Sequence, residues 1–371
     1  MSAVAPLIGI VGVAGAYGRW LSQFFTSRMG LAVIGHDPAD EASASVEELL
    51  ERADVLVFCA PIRHTPALIA QYVAASAGRE AGRLWLDVTS VKSAPVQAML
   101  ASQAEVLGLH PMTAPPKAPT LKGRVMVVCQ ARLQRWSPWV KQLLSALQAE
   151  CVQASPEHHD RVMALVQAMV HATHLAQAGV LRQYTPLLGD LQALLPYRSA
   201  SFELDTAIIA RILSMNPSIY EDIQFGNPHV AEMLDVLVSQ LTALRQLVGR
   251  NDESARAAFR QQFLHDNRVA VGETSVREGN YSFERVGYLL ADLTETRAIS
   301  VYLPEDRAGS LRALLHVFEA HQISLSSIHS SRTPSGEVHF RIGFDGQLDL
   351  THLALAAEEI DRTGIGRVLP R

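Results

Sequence analysis

Six short apolar runs constrain this chain more than any other feature: LIGIV (7–11), LAVIG (31–35), VLVFC (55–59), LWLDV (84–88), VLGLH (106–110) and VMVVC (125–129). None alternates apolar with polar, so each reads as a strand buried on both faces. Several of the segments between them are amphipathic at helical spacing. YGRWLSQFFTSRM is one; SPWVKQLLSALQAE, which puts Trp139, Leu143, Leu144 and Leu147 on one face, is another. Continuous apolar strands alternating with helices predict an α/β domain, a parallel sheet covered on both sides.

From about Ser155 the strand-like runs stop. Helical stretches are predicted over 156–183, 201–215, 228–249 and 251–264, and residues 266–282 read as a polar loop before the helix SFERVGYLLADL. HHDRVMALVQAMVHATHLAQAGVL is apolar nearly all round, which predicts burial in a bundle or a dimer core. The tail changes again: AISVYL, AGSLRALLHVFEAHQ, ISLSSIHSS, EVHFRIGF, LTHLALAAEEIDRT and GRVLP give the order β-α-β-β-α-β, a ferredoxin-like α+β unit with a hairpin at RTPSGE. The expected boundaries are 1–154, 155–295 and 296–371.

Composition narrows the classes of function. Of 371 residues, 48% are hydrophobic and 19% charged, with a net charge of −5, so a soluble globular protein is expected. No basic block favours nucleic acid as a partner. No apolar stretch reaches the roughly 18 residues of a membrane span, and the N-terminus lacks the basic start of a signal peptide. Cys59, Cys129 and Cys151 have no metal-ligand spacing and read as reduced, buried thiols.

Chemistry concentrates in five places. Gly12, Gly15 and Gly18 lie between the first strand and the first helix, where a tight turn and helix amides suit a pyrophosphate. Val13 stands where the usual G-x-G-x-x-G has its first glycine. Asp37 ends the second strand; a carboxylate there accepts from both ribose hydroxyls and repels a 2′-phosphate, which favours NAD over NADP. A tight turn that binds nothing, and Asp37 as a turn residue before Pro38, are the plainer readings. Ser90 and Lys92 follow the fourth strand: Ser90 could face an imidazole or nicotinamide, or cap a helix, and Lys92 could be solvated. His110 ends an apolar strand, where an imidazole can take a proton near neutral pH or serve only structure. His171 and His174 are one helical turn apart, but no third ligand accompanies them and no metal site is expected. Arg211, in the apolar AIIARILSM, needs an anion: Glu203 or Asp205, or a substrate carboxylate.

Together, IVGVAGAYG, CAPI, DVTSVK, LGLHPM, EHHDRVMALVQAMVH and ARILSMNPSIYEDI resemble the prephenate dehydrogenase family, in the form fused to a C-terminal ACT domain. The likeness covers nearly the whole chain. It implies a Rossmann-like NAD-binding domain, an all-α dimerisation domain and an ACT regulatory domain in a cytoplasmic homodimer of tyrosine biosynthesis. The implied reaction is oxidative decarboxylation of prephenate to 4-hydroxyphenylpyruvate, CO2 and NADH. By this resemblance His110 is the catalytic histidine and Ser90 lies near the ring hydroxyl and the nicotinamide. Arg211 binds a carboxylate, His171 lies near the pyruvyl side chain, Tyr220 closes the pocket, and Gly309 belongs to an effector site for tyrosine or phenylalanine. TAPPKAP after LGLHPM departs from the family pattern and leaves prephenate, arogenate or both as substrates. A β-hydroxyacid dehydrogenase would need a helix lysine, and 156–183 contains none. A non-enzymatic sensor of NAD or amino acids is the remaining alternative.

Overall fold

The computed structural model describes residues 5–116, 118–294, 298–303, 308–332, 338–345 and 348–369. Most of the expected RTPSGE turn and the expected boundary at 295/296 lie outside these. The chain divides into two compact units, Met1–Gln246 and Leu247–Arg371.

The first unit begins with β1 (Ile8–Val11), α1 (Ala16–Met29), β2 (Val33–His36), α2 (Val46–Arg52), β3 (Val55–Phe58), α3 (Thr65–Ser76) and β4 (Leu84–Asp87). It continues with α4 (Ser93–Leu100), β5 (Glu105–Pro111), β6 (Val125–Arg132), α5 (Ser137–Leu147) and β7 (Glu150–Gln153). The sheet runs β2-β1-β3-β4-β5-β6-β7. Each of the six apolar runs holds a strand. Ile8, Ile10, Leu86 and Leu107 face α1 and α5 in one core; Leu56, Trp85 and Val106 face α2, α3 and α4 in the other. This two-sided burial is why β1, β3, β4 and β5 carry no alternation, while β2, at the sheet edge, is half-buried throughout.

Two details differ from the all-parallel expectation. β6 pairs antiparallel with β5, and β7 adds a seventh strand parallel to β6. A parallel return needs a crossover element; the described residues between β5 and β6 hold no helix, so the chain doubles back. β7 is exposed at every position, Cys151 included, and Cys59, just after β3, is half-buried. Of the three thiols expected inside, Cys129 is the buried one.

Helices follow: α6 (Pro156–Met163), a π-helical turn (Ala164–Met169), α7 (Val170–Leu188), α8 (Leu191–Leu194), a 3-10 turn (Leu195–Tyr197), α9 (Ala200–Ser214), α10 (Pro217–Gly226) and α11 (Val230–Arg250). α7 has no buried residue in the single chain, with Val180, Tyr184, Leu187 and Leu188 exposed. In the second unit come α12 (Glu253–Phe259), a π-helical turn (Arg260–His265), α13 (Asp266–Val271) and α14 (Glu273–Thr294). Residues 266–282, expected as a loop, are therefore helical, broken only at Gly272 with φ +86°. Their polarity is that of an exposed helix surface, across which Arg268 and Glu273 pair at 2.7 Å.

The tail forms β8 (Ala298–Leu303), α15 (Ser310–Ala320), β9 (Leu325–Arg332), β10 (Val338–Phe344), α16 (Leu350–Arg362) and β11 (Arg367–Leu369). Its antiparallel sheet, ordered β11-β8-β10-β9, is ferredoxin-like. Val301, Leu314, Phe318, Phe340 and Ile360 fill its core. No described helix is long and apolar enough to cross a membrane.

The β1–α1 turn is the tightest point of the first unit. A Cβ on Gly18 would lie 2.1 Å from the Gly12 carbonyl oxygen. Gly18→Ala must push α1 away from β1 and should lower unfolding free energy by about 1–3 kcal/mol. Urea denaturation checks this; an unchanged midpoint would mean the turn opens without cost.

Candidate active site

β1, β3, β4 and β5 run parallel, and their carboxyl ends carry the Gly-rich turn, Ser90 and His110. Gly12 follows β1 with φ +85°, and a Cβ there would meet the Cys59 carbonyl at 3.0 Å. Gly15 is the N-cap of α1 and Gly18 lies in its first turn. Val13 packs over β2, where a Cβ on Gly35 would fall 2.6 Å from its side chain. The bulk absent at residue 35 makes room for the residue that breaks the usual glycine pattern. Asp37 closes β2, one carboxylate oxygen accepting from the Ala14 amide at 3.0 Å and the other from Ala39 at 3.0 Å. Each oxygen keeps a further lone pair. A left-handed glycine, a helix N-terminus and a carboxylate at the neighbouring strand end fit the pyrophosphate and ribose of a dinucleotide.

The Pro-rich loop after β5 is held against α1. Tyr17 donates its hydroxyl to the Thr113 carbonyl, and Trp20 Nε1 donates to the Ala118 carbonyl at 3.0 Å.

His110 sits on β5, 2% exposed. Its Nδ1 lies 2.8 Å from His159 Nε2, and His159 Nδ1 lies 2.8 Å from Asp160 Oδ1. Asp160 also accepts from the backbone amides of Lys92 and Ser93, both at 2.8 Å, and its carbonyl accepts from Asn227 Nδ2 at 2.7 Å. Burial pushes the Asp160 carboxyl up, but hydrogen bonds from His159, Ser93 and Lys92 outweigh it and hold the group below the ordinary carboxylate range. Burial drives His110 well below the ordinary imidazole range; His159 and Lys92 add to the effect and Asp160 opposes it. His110 is therefore neutral at physiological pH.

Lys92 is not solvated. It is fully buried, pairs through Nζ with Asp87 and donates to the Leu109 carbonyl at 2.8 Å, one residue before His110. Gly108 makes room for the pair: a Cβ there would lie 3.1 Å from Lys92 Cδ and 3.3 Å from Asp87 Oδ2. Ser90, half-buried in the β4–α4 loop, does not cap α4. The N-cap position is Lys92, and the acceptor side chain is Asp160.

The helical residues form a second group. His171 and Tyr220 meet edge-to-face with ring centroids 4.8 Å apart. His171 Nδ1 and Gln167 Oε1 are buried without a hydrogen-bond partner among the described residues. Both lie on or just after the π-helical turn, a feature common at functional sites. His174 pairs instead with Asp205 at 3.3 Å, and no described cluster could hold a metal. Arg211 is exposed, contrary to the buried arginine expected, because no described element covers its face of α9. Neither expected carboxylate reaches it: Glu203 pairs with Arg198 and Asp205 with His174. The residues least visible in the sequence were His159, Asp160, Lys92 and Asp87. HHD beside DVTSVK was the available signal, but their contact spans 67 residues.

A dinucleotide turn with its ribose-side carboxylate and a buried neutral imidazole along one sheet edge is the arrangement of a nucleotide-dependent dehydrogenase. Residues 35–153 match the nucleotide-binding domain of prephenate dehydrogenase, and residues 155–262 match its dimerization domain. A 4-amino-4-deoxyprephenate dehydrogenase from Streptomyces pristinaespiralis is 30% identical over 270 residues, 67% of this chain and 87% of the relative. A probable arogenate/prephenate dehydrogenase from Methanocaldococcus jannaschii is 28% identical over 303 residues, 77% of this chain and 66% of the relative. The crystal structure of prephenate dehydrogenase from A. aeolicus in complex with hydroxyphenyl propionate and NAD+ superposes with a TM-score of 0.57 at 19% identity, covering 73% of this chain and 100% of the other. This chain belongs to the prephenate dehydrogenase family. It spans between about half and two thirds of the length of the first curated relatives it matches.

Removing one partner from the buried Lys92–Asp87 pair leaves an uncompensated charge. Lys92→Met should destabilise the protein by about 3–5 kcal/mol, visible in a denaturant titration. Parent-like stability would show that Asp87 does not need its cation.

Proposed function

We propose that the protein is an NAD-dependent prephenate dehydrogenase that converts prephenate to 4-hydroxyphenylpyruvate, CO2 and NADH in tyrosine biosynthesis. The observation that carries this reading is His110, buried and neutral at the sheet edge that also bears the Gly-rich turn. Gly12, Gly15, Gly18 and Asp37 would hold NAD, which supplies the hydride acceptor when bound. His110 takes the proton of the ring hydroxyl as that carbon becomes a carbonyl; loss of CO2 then makes the ring aromatic. Ser90 orients the ring hydroxyl. Arg211 binds a substrate carboxylate, which suits a guanidinium that has no protein partner among the described residues. His171, with its buried unpartnered nitrogen, receives the pyruvyl side chain beside Tyr220.

The exposed apolar side chains of α7, within a segment that matches a dimerization domain, support a homodimer. A cytoplasmic location fits this role. Residues 1–154, 155–295 and 296–371 then serve as cofactor, substrate and regulatory domains. The ferredoxin-like tail supports an ACT-type module. Gly309, left-handed at φ +98° before α15, borders an open depression lined by Leu311, Arg312, Leu315, His316 and Glu319. Tyrosine or phenylalanine is the proposed effector there.

NADH formation with prephenate and with arogenate, each with and without tyrosine, tests the reading and separates single from dual specificity. Silence on both substrates with tyrosine bound would favour the sensor. His110→Asn should lose about 10²–10⁴-fold in kcat while retaining NAD affinity; near-parent turnover would remove His110 from its role. Arg211→Ala should raise the KM for prephenate at least about tenfold with a smaller change in kcat, and an unchanged KM would remove Arg211 from the site.

A further inference from the structure

The buried line Asp160–His159–His110 has a direction. An ionised carboxylate only accepts, so His159 must present its Nδ1–H to Asp160. A neutral His159 then has a lone pair on Nε2, 2.8 Å from His110 Nδ1. That contact is a hydrogen bond only if His110 carries its proton on Nδ1. The lone pair of His110 is thereby left on Nε2, the one ring nitrogen with no partner in this line.

We propose that His159 and Asp160 are positioning residues for the reaction, holding His110 in the Nδ1–H tautomer and receiving the positive charge that proton abstraction creates. This rests on the reading of His110 as the base. As the substrate hydroxyl gives its proton to His110 Nε2, the His110 Nδ1 proton passes to His159 Nε2. One O–H and one N–H bond break, and two N–H bonds form. The O–H electron pair becomes the second carbon–oxygen bond as hydride leaves that carbon. The resulting imidazolium is His159, which already donates to Asp160; the carboxylate stays ionised. Direct protonation of His110 alone would place a cation in a desolvated site facing Lys92. The charged groups around the pair are Lys92 from the β4–α4 loop, Asp87 from β4 and Asp160 from α6. Asp160 is the anion in direct contact with His159, and through it faces His110.

Asp160 has a second task that gives the arrangement its precision. Its carboxylate accepts from the amides of Lys92 and Ser93, so the same group fixes the segment that follows Ser90. The base and the proposed ring-hydroxyl contact are thus referenced to one carboxylate.

The test uses the full chain with His159→Leu, His159→Gln and Asp160→Asn. Loss of a tautomer-fixing carboxylate behind a catalytic imidazole costs on the order of 10³- to 10⁴-fold in turnover. Asp160→Asn and His159→Leu should both fall in kcat by about 10³-fold, with the KM for prephenate and the NAD affinity, read by fluorescence quenching, within about twofold. His159→Gln, whose amide oxygen still accepts from Nδ1–H, should recover part of that loss. In Asp160→Asn the acid limb of the kcat profile should move to lower pH, because the anion that favours the protonated pair is gone. Nitrogen-15 NMR of labelled histidine should find His110 as the Nδ1–H tautomer in the parent and no longer fixed in His159→Leu. A kcat within about threefold of the parent in both His159→Leu and Asp160→Asn, or an Nε2–H tautomer in the parent, overturns the proposal. If Asp160→Asn does not fold, the His159 variants and the NMR decide. An active His110→Asn variant would sink the base reading itself; an inert His110→Asn with a fully active His159→Leu would sink only the positioning pair.

Discussion

The buried carboxylate of Asp160 is the constraint around which the first unit is organised. It lies at 0% exposure, an environment in which an unpaired charge is untenable. Its partners come from separate parts of the chain: two amides at the start of α4, and the ring of His159 beside it, which in turn meets β5. Its backbone carbonyl accepts from Asn227, after α10. Each partner must be in place for the charge to be tolerated, so the carboxylate fixes the helical segment onto the carboxyl edge of the sheet. A second contact, from Asp222 on α10 to the Arg63 guanidinium at 2.8 Å and the Arg63 amide, supports the same docking from the β3–α3 loop.

Lys92 and Asp87 extend this polar core inward. Thr89 donates its amide to Asp87 at 3.1 Å, and Lys92 reaches the Leu109 carbonyl. The pair contributes position rather than net stability, since buried ion pairs roughly break even against apolar packing. Its cation helps keep His110 neutral, a state set by the surroundings rather than by the histidine itself.

What the sequence made legible was what local pattern encodes. Uninterrupted apolar runs located six strands because burial on both faces leaves a one-dimensional trace. The three glycines and Asp37 were readable because a turn and a strand end are local. The direction of β6 was not, since it depends on how the chain returns from a proline loop. Residues 266–282 misled because a polar segment with one glycine looks alike as a loop and as an exposed helix. Lys92 looked like a surface residue, since its partner and its burial are matters of tertiary contact. His110 was found from its place at a strand end, whereas His159 became meaningful only when α6 was seen to lie beside β5. Arg211 was expected inside because its neighbours are apolar; Ile209 and Ile212 are indeed buried, but Arg211 and Leu213 are exposed on α9.

The π-helical turn at Ala164–Met169 has a consequence for how this segment tolerates change. A π turn takes up one residue more than an α turn, so the faces of α7 are rotated by roughly 100° relative to an unbroken continuation of α6. Asp160 and His171 therefore keep their separate orientations through a surplus residue rather than through a loop. Point substitutions there leave that phase intact, but excision of a single residue would restore uniform winding and swing His171 away from Tyr220 while leaving every side chain of α6 in place. Across this stretch the number of residues sets the geometry as much as their identity does.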